Sequence, residues 1–329
     1  MGNLAISLAV ADYDHTRDLA EGTVRVEGVD LIVLRLKVEE IFHRFMRNRE
    51  FDVAEMSFAK VIALAAQGDR SLVALPVFPR RVFRHSAIYV RADAGIDAPE
   101  QFAGRTIGVP EWAQTAGIYA RAVLAHDYGL DLASIRWFQA GLNDPGRAEK
   151  VKLDLPAGLS LTPVRDRSLS QMLLTGDIDA AITARPPAPF VAGDARVRRL
   201  FVDFRAAEQA WWEKTGIFPI MHVVAMRRDV HERAPWLAMN LCKAFEMAKS
   251  NSLTRITADL ESYLPLPWTP SEAELARERL GPDFWPYGVD ANRATLEAFA
   301  RFAFEQGVCA RELAPEEFFP PEVQSRHRI

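Results

Sequence analysis

The sequence predicts an α/β protein of two lobes with a helical C-terminal part, and three observations support this fold class. Short apolar runs rich in Val and Ile alternate with stretches of helical periodicity, which is the pattern of an α/β protein. The 329 residues are enough for two domains. The first and middle thirds each show this alternation, whereas the final third is mostly helical. We therefore predict a first lobe of residues 1–92 and 218–329, a second of 93–217, and a ligand cleft between them.

The first third contains the predicted elements of the first lobe. Residues 4–10 and 30–36 are typical of strands, and the apolar stripe formed by Ile41, Phe42 and Phe45 predicts a helix after them. A helix over 58–66 can be capped by Ser57. The remaining predicted strands of this third are 52–56, 72–78 and 86–90.

The rest of the chain predicts a second β/α region and then helices. In the middle third, strands are predicted at 106–109, 135–138 and 178–183, and helices from about 113–115 to Gly129 and over 168–174. Residues 141–163 are rich in Gly, Pro and charge, which favours an irregular segment. In the final third, a strand at 218–226 precedes three helices, which start after Pro235, at the capping-box spacing of Ser271 and Glu274, and near Leu296.

Composition excludes several classes of function. The formal charge of −4 gives no basic excess, so a general nucleic-acid binder or a binder of anionic membranes is not expected. No apolar run approaches the ~20 residues of a membrane span, and the N-terminus lacks the basic segment of a secretory signal, so we expect a cytoplasmic protein. Cys242 and Cys309 are expected to be free thiols. Apolar residues of the helical end, namely Trp285, Phe318 and Phe319, are compatible with a homo-oligomer.

The sequence contains no phosphate-binding loop, dinucleotide fingerprint, nucleophile elbow or zinc-protease motif. The candidate site residues are instead polar side chains at the ends of predicted strands. Asp12 and His15 follow the first strand, where they could orient a proton carrier or hold a cation, or merely form a turn. Glu55 ends a short buried strand, so its carboxylate must be paired, hydrogen-bonded or protonated. Ser57 is either a plain helix cap or part of an anion site.

A second group of candidates is basic or lies later in the chain. Arg80, Arg81, Arg84 and His85 stand among aromatic residues, where an arginine fork would suit a carboxylate, although an exposed charged hairpin is the alternative. Three more candidates are Thr115 at a helix N-terminus, Arg185 after a buried strand, and His222 within an apolar strand, where a core histidine is the commoner role.

Several segments together resemble the 4,5-dihydroxyphthalate decarboxylase family. They are DYDHT at 12–16, FDVAEMS at 51–57, LPVFPRRVFRHS at 75–86, FPIMH at 218–222, LPW at 266–268 and WPYG at 285–288. The resemblance runs over nearly the whole chain. It implies the two-lobed fold of type II periplasmic binding proteins, used for the decarboxylation of a small hydroxylated aromatic dicarboxylate to protocatechuate and CO2. It also implies that no organic cofactor is required, because the ring itself accepts the electrons.

The resemblance implies three roles for the candidates. Arg81, Arg84 and Arg185 are expected to clamp the retained carboxylate, with help from Thr115 and Ser57. His222 or His85 is expected to donate a proton to the ring carbon. Asp12, His15 and Glu55 are expected to accept the phenolic proton or to orient the histidine.

Three alternatives stay open at the level of sequence. The same cleft would serve a non-catalytic binding protein for an aromatic or dicarboxylic solute. A divalent metal could be held by Asp12, His15 and either Glu55 or His222, although their spacing matches no metal motif. The scaffold could also carry another enzyme, of the kind used in menaquinone or pyrimidine biosynthesis.

Overall fold

The computed structural model describes residues 2–258 and 264–325, which form two β-sheets flanked by helices. The strands are β1 (Leu4–Val10), β2 (Val29–Arg35), β3 (Val53–Ser57), β4 (Leu72–Arg81), β5 (Ile88–Arg91), β6 (Thr106–Val109), β7 (Arg136–Gln139), β8 (Leu161–Pro163), β9 (Ala180–Ile182), β10 (Val197–Arg199) and β11 (Ile220–Arg227). The helices are α1 (Asp14–Ala20), α2 (Val38–Asn48), α3 (Phe58–Ala66), α4 (Thr115–Asp127), α5 (Leu169–Thr175), α6 (Ala188–Val191), α7 (Phe204–Thr215), α8 (Arg228–Arg233), α9 (Trp236–Ile256), α10 (Thr269–Leu280) and α11 (Arg293–Glu305).

The first sheet has the strand order β2-β1-β3-β11-β4. β1 pairs in parallel with β2 and β3, and β11 runs antiparallel to both β3 and β4. β11 comes from the last third of the sequence, so the chain returns to this sheet after it has built the second one. The side chains of β3 are almost all buried, which places this strand at the centre of the first half.

The second sheet has the order β10-β5-β9-β6-β7-β8. β6 pairs in parallel with β7 and β9, whereas β5 runs antiparallel to β9 and β10. Gly108 in β6 allows α5 to pack closely on this sheet, because a Cβ atom there would lie 2.4 Å from the side chain of Leu169. β5 belongs to this sheet although the predicted first lobe includes it, since strand periodicity does not show which sheet a strand joins. The chain therefore first passes from the first sheet to the second between β4 and β5.

The helical C-terminal part predicted from the sequence packs against both halves. α9 lies against α1 and β4, and α11 lies against α4, which follows β6 of the second sheet. The indole Nε1 of Trp112 donates to the carbonyl oxygen of Gln306 at 2.7 Å and fixes the end of α11 to the second half. A large buried apolar cluster runs through both halves, and a smaller one under α5 belongs to the second sheet alone.

Several local predictions differ from the structure. Residues 12–16 do not form only a turn, because α1 begins at Asp14. The region 141–163, predicted to be irregular, contains the short strand β8, and α7 and β10 were not predicted. The predicted capping box at Ser271 and Glu274 is wrong: α10 begins at Thr269, and the Ser271 hydroxyl instead donates to the carbonyl oxygen of Trp268 at 3.0 Å.

The sequence led us to expect apolar side chains at the surface of the helical C-terminal part. Phe318 and Phe319 are buried, and the indole of Trp285 donates to the carbonyl oxygen of Phe78 at 3.1 Å, so these side chains offer no exposed apolar patch for a homo-oligomer.

Cys242 and Cys309 are both free thiols, as the sequence predicts. Among the helices of residues 2–258 and 264–325, none combines the length and the apolar character that crossing a bilayer requires.

Candidate active site

A cleft lies where the carboxyl ends of β3 and β6 meet. It contains two adjoining cavities of about 550 and 360 Å³, which share Gln114 and Arg147 as lining residues. The Ser57 and Thr115 hydroxyl oxygens lie 3.0 Å apart and join the end of β3 to the start of α4. The Thr115 oxygen also accepts from the backbone N–H of Ala59 at 3.1 Å. The two predicted anion-binding hydroxyls are therefore brought together, but they bind each other across the cleft.

Glu55 and His222 form a buried pair beside this cleft. The Glu55 side chain has no exposed surface, and His222 keeps 12% of its side chain exposed. Nδ1 of His222 bonds to Oε1 of Glu55, so Nε2 is the ring nitrogen left for another partner. The ring lies edge-on to Phe42, with the two ring centres 5.0 Å apart, and Phe42 and Ser57 line the smaller cavity. His222 thus contacts Phe42, a lining residue of the cleft, while the Glu55 carboxylate holds its Nδ1.

Sheet register explains why this pair forms. His222 on β11 lies opposite Ser57 on β3, and Val224 lies opposite Glu55. Alternate residues of a strand share a face, so Glu55, Ser57 and His222 project to the same side of the sheet. On its other edge β11 pairs irregularly with β4, because the six residues from Leu75 to Arg80 lie opposite only three residues of β11, from Val224 to His222. Pro76 and Pro79 lie within this bulge, where a residue without an N–H costs the ladder nothing.

The Glu55 carboxylate is held ionised by its surroundings. Burial opposes its ionisation, but the charge and hydrogen bond of His222, together with hydrogen bonds from Ala11 and Tyr13, hold the pKa of Glu55 below its usual value. The other oxygen, Oε2, accepts from the backbone N–H of Ala11 at 2.9 Å. The Tyr13 hydroxyl donates to Oε1 at 2.7 Å. Three donors therefore satisfy a carboxylate that water cannot reach.

Tyr13 and His15 support Glu55 from the start of α1. Burial, and then the charge of Glu55, raise the pKa of the Tyr13 hydroxyl, so it remains a neutral donor. The His15 ring stacks on Tyr13 with the ring centres 5.1 Å apart, and its Nε2 lies 2.9 Å from the carbonyl oxygen of Pro79. Burial lowers the pKa of His15 to about 4, which keeps the ring neutral. The His15 ring therefore packs against Tyr13, and its hydrogen bond goes to the carbonyl oxygen of Pro79 rather than to Glu55.

The three arginines of the 80–84 segment have different surroundings. Arg81 is buried and donates to the carbonyl oxygens of Phe218 at 3.0 Å and Pro286 at 2.6 Å, and to the side chain of Asn292. Burial lowers its pKa to about 10. The prediction that Arg81 clamps a substrate is therefore wrong, because internal acceptors already occupy its guanidinium. Arg80, by contrast, is half-buried, and the pairing of β4 with β11 is irregular between these two arginines.

Arg80 and Arg84 are the arginines available to an anion. Arg80 lies opposite His222 in the sheet. It is also close to Tyr13, where its charge opposes the larger effects of burial and Glu55 that raise the pKa of the Tyr13 hydroxyl. Arg84 is buried, and its described contacts are the sulfur of Met221 at 3.0 Å and the carbonyl oxygen of Ala184 at 3.4 Å. Burial, and then the nearby charge of Arg80, lower the pKa of Arg84 to about 10. Within residues 2–258 and 264–325, no carboxylate forms a salt bridge with either guanidinium.

Three other candidates lie outside this group. His85 packs between Phe201 and Trp211, and its Nδ1 has no partner among the described residues. Burial lowers the pKa of His85 to about 4, so it is a neutral core residue, and the expectation that it donates a proton is wrong. Asp12 is exposed and pairs with Arg35 at 3.2 Å, so it does not face Glu55 or His222.

Arg185 lies at the mouth of the cleft. Its side chain is 64% exposed and forms a salt bridge with Glu39 of α2, which belongs to the other half of the molecule. Both residues line the larger cavity. The structure therefore places Arg185 at the rim, where it joins the two halves, rather than beside His222.

The described residues contain no group of three or more His, Cys, Asp and Glu side chains arranged to hold a metal ion. The predicted set of Asp12, His15 and Glu55 or His222 is not brought together, because Asp12 faces the surface. His15 is held by the carbonyl oxygen of Pro79.

Sequence reasoning missed a buried charge cluster that joins the halves at the smaller cavity. Lys60 of α3 pairs with Glu111 at 2.9 Å and with Glu149 at 2.8 Å. Arg147 pairs with Glu111 at 2.6 Å. A lysine within the apolar run of α3 was a usable signal, since a buried ammonium group requires a partner. Tyr13 and Gln114 were also missed, although both stand directly beside residues that were singled out.

Comparison with known proteins identifies relatives of the whole chain. A 4,5-dihydroxyphthalate decarboxylase of Comamonas testosteroni is 39% identical over 330 residues, which cover 100% of both chains. A 4,5-dihydroxyphthalate decarboxylase of Pseudomonas putida is 38% identical over 213 residues, which cover 64% of this chain and 83% of that one. No protein-family model matches the sequence.

A solved structure confirms the predicted fold. The periplasmic aliphatic sulphonate binding protein SsuA from Escherichia coli superimposes with a TM-score of 0.54 at 12% identity, covering 97% of this chain and 98% of that one. The chain thus has the periplasmic-binding-protein-like fold, with two sheets and a cleft between them. Together with the full-length identity to the Comamonas enzyme, this places the chain in the 4,5-dihydroxyphthalate decarboxylase family.

Proposed function

We propose that this protein decarboxylates 4,5-dihydroxyphthalate, or a closely related hydroxylated aromatic dicarboxylate, to protocatechuate and CO2. The observation that carries the proposal is the buried Glu55–His222 pair beside the cleft. A carboxylate that holds Nδ1 stabilises the charged imidazole and leaves Nε2 as the donor toward a ligand. The relatives' activity is consistent with this chemistry.

In this proposal His222 protonates the substrate carbon. Each carboxylate of 4,5-dihydroxyphthalate lies para to a ring hydroxyl, whose oxygen can push electrons toward the carbon that carries that carboxylate. Nε2 of His222 transfers its proton to this carbon, which forms a C–H bond and an O-protonated cyclohexadienone, and the imidazole becomes neutral. The C–C bond to the carboxylate then breaks, its electron pair restores aromaticity, and CO2 leaves. A positioned general acid contributes about 10²- to 10⁴-fold to the rate.

Arg80 and Arg84 are assigned to the carboxylate that is retained. The charge of Arg80 acts unfavourably on Arg84, the Glu208 carboxylate opposes it with a smaller effect, and an anion bound between the two guanidinium groups would relieve the repulsion. Arg84 also contacts Ala184, a lining residue of the larger cavity. A planar guanidinium can hold a carboxylate by two parallel hydrogen bonds, so it fixes the ring orientation as well as the charge.

The proposal needs no organic cofactor or metal ion, because the protonated ring accepts the electrons of the breaking bond. The test is to incubate purified protein with 4,5-dihydroxyphthalate, before and after dialysis against a chelator, and to quantify CO2 and protocatechuate. We expect one CO2 per molecule consumed and the same rate after dialysis. Tight binding without CO2 release would identify a solute receptor, and activity lost on dialysis and restored by a divalent ion would identify a metal-assisted enzyme.

The compartment is a separate proposal, and the oligomeric state stays a prediction. We propose that the enzyme acts in the cytoplasm, where the free thiols Cys242 and Cys309 would stay reduced. Fractionation of the producing cell tests this. Light scattering of the purified chain tests the predicted homo-oligomer, for which the buried Phe318 and Phe319 provide no support.

A further inference from the structure

Gln114 is a polar residue that neither the fold nor the proposed proton transfer uses. It occupies the N-cap position of α4, but its side chain makes no capping hydrogen bond. Glutamine is also not among the residue types that favour this position, namely Asn, Asp, Ser and Thr. The identity of the residue at 114 is therefore not explained by the stability of the helix.

The side-chain oxygen of Gln114 lacks a donor. Oε1 is buried and has no hydrogen-bond partner among the described residues. An unpaired buried acceptor costs roughly 1–3 kcal/mol, so such a group is expected to find a partner when the protein is at work. Gln114 lines both the 550 Å³ and the 360 Å³ cavity, so a ligand in the cleft is the available source of that partner.

The position of Gln114 is well defined relative to the proposed catalytic pair. The next residue, Thr115, contacts Ser57 at 3.0 Å, and Ser57 lies opposite His222 in the sheet. Ala184, which Arg84 contacts, lines the larger cavity together with Gln114. A ring bound between His222 and Arg84 would therefore have Gln114 as its neighbour from the second half of the molecule.

We propose that Gln114 is a specificity-determining residue whose Oε1 accepts a hydrogen bond from a ring hydroxyl of the substrate. Of the polar groups on a hydroxylated aromatic dicarboxylate, the ionised carboxylates can only accept hydrogen bonds, so a hydroxyl is the group that can donate to this oxygen. Gln114 would then distinguish hydroxylated aromatic dicarboxylates from those without a hydroxyl. This inference rests on the proposed function, since it assumes that the cleft binds such an acid.

The test compares the binding of a hydroxylated aromatic dicarboxylate with that of one that has no hydroxyl. Dissociation constants for 4,5-dihydroxyphthalate and for phthalate, which has both carboxylates and no hydroxyl, are measured by calorimetry with His222→Ala as the background, which suppresses turnover, in proteins with the wild-type Gln114 and with Gln114→Met. Methionine keeps the unbranched shape but removes the acceptor. We expect the dissociation constant for 4,5-dihydroxyphthalate to rise roughly 10- to 100-fold and that for phthalate to change by less than about twofold.

Two further variants make the result decisive. Gln67→Met is the matched control, because Gln67 is exposed and donates to the carbonyl oxygen of Lys152 at 3.2 Å, away from the lining of both cavities. It should bind both ligands like the wild type. Gln114→Asn keeps an amide and should show a smaller loss confined to 4,5-dihydroxyphthalate. Its result decides the question if thermal unfolding shows that Gln114→Met is not folded.

An equal rise in the dissociation constants of both ligands in the Gln114 variants would overturn the inference. The amide would then bind a carboxylate or maintain the shape of the cleft. Unchanged binding of both ligands would overturn it as well. The proposed function fails separately: if the wild type binds both acids but releases no CO2, the decarboxylase proposal falls, while the comparison of the two ligands still tests Gln114.

Discussion

His222 and His85 lie in contrasting regions of the molecule, and the difference shows what makes a histidine useful. His222, on β11, has a buried carboxylate on one nitrogen and contacts Phe42, a lining residue of the cleft. His85, in the segment that crosses between the sheets, has only aromatic neighbours and an unpartnered Nδ1. Burial lowers the pKa of His85 to about 4, so it carries no proton to give near neutral pH. A charged partner, rather than burial itself, prepares an imidazole for proton transfer.

Arg80 and Arg81 show the same contrast between neighbours in sequence. Internal acceptors hold Arg81 in the core, where it stacks between Phe78 and Phe218. Arg80 lies opposite His222. The two side chains have the same chemistry, and their surroundings separate a structural role from a binding role: Arg81 has internal acceptors, whereas Arg80 lies opposite His222.

The largest expected effect concerns the two histidines. His222→Ala should lower kcat for CO2 release from 4,5-dihydroxyphthalate by about 10²- to 10⁴-fold, because the general acid is lost. The dissociation constant should change only a few-fold, since the arginines remain. His85→Leu should keep the wild-type kcat. Single-turnover CO2 release and calorimetry measure these quantities, and an equal loss of kcat in both variants would remove the distinction between the two regions.

The second prediction is the pH dependence of stability. The pKa of His85 is about 4 in the folded protein against a usual 6.5, so between these values the unfolded chain binds a proton that the folded chain does not. His85 therefore lowers the free energy of unfolding as the pH falls from 6.5 to 4, by about 3 kcal/mol at pH 4. Urea unfolding of the wild type and of His85→Leu should show a difference that grows toward pH 4. A constant difference would mean that His85 is accessible to protons in the folded state.

A third prediction removes only the charge of the buried carboxylate. Glu55→Gln keeps the size of the side chain but removes the carboxylate that holds Nδ1 of His222, so kcat should fall roughly 10- to 100-fold. Glu50→Gln is the matched control, because Glu50 pairs with Arg44 at the surface and should have no effect on kcat. Steady-state CO2 release measures both. Wild-type kcat in Glu55→Gln would show that His222 acts without this carboxylate.

The smallest effect is expected from an arginine exchange. Arg84→Lys should raise the dissociation constant of 4,5-dihydroxyphthalate about tenfold, because an ammonium group cannot form two parallel hydrogen bonds with a carboxylate. Arg81→Lys should leave that constant unchanged but lower the free energy of unfolding by roughly 1–3 kcal/mol, since buried acceptors lose their donors. Calorimetry and urea unfolding separate the two outcomes, and the opposite assignment would exchange the roles of the two arginines.

Sequence periodicity predicted much of the fold but less of the site. β1 has the predicted bounds, and the strand that contains Glu55 and the strand that contains His222 were both predicted. The burial rule for carboxylates correctly marked Glu55 as a residue that needs a partner. The partner itself could not be read from the sequence, because the antiparallel register of β11 against β3 depends on tertiary packing.

The incorrect assignments share a physical cause. Local sequence shows residue type and periodicity, whereas the roles of Arg81 and Asp12 depend on the face to which each side chain projects. The bulge between Leu75 and Arg80 shifts the alternation of β4 at the residues that matter, so the inward and outward arginines could not be told apart in advance.

The most direct test of the account is a crystal structure of the protein with phthalate bound as an unreactive analogue. The account predicts that Nε2 of His222 lies about 3–3.5 Å from a ring carbon that carries a carboxylate. It also predicts that the guanidinium of Arg80 or Arg84 holds the other carboxylate. A ligand bound elsewhere, or one that contacts neither His222 nor these arginines, would contradict it.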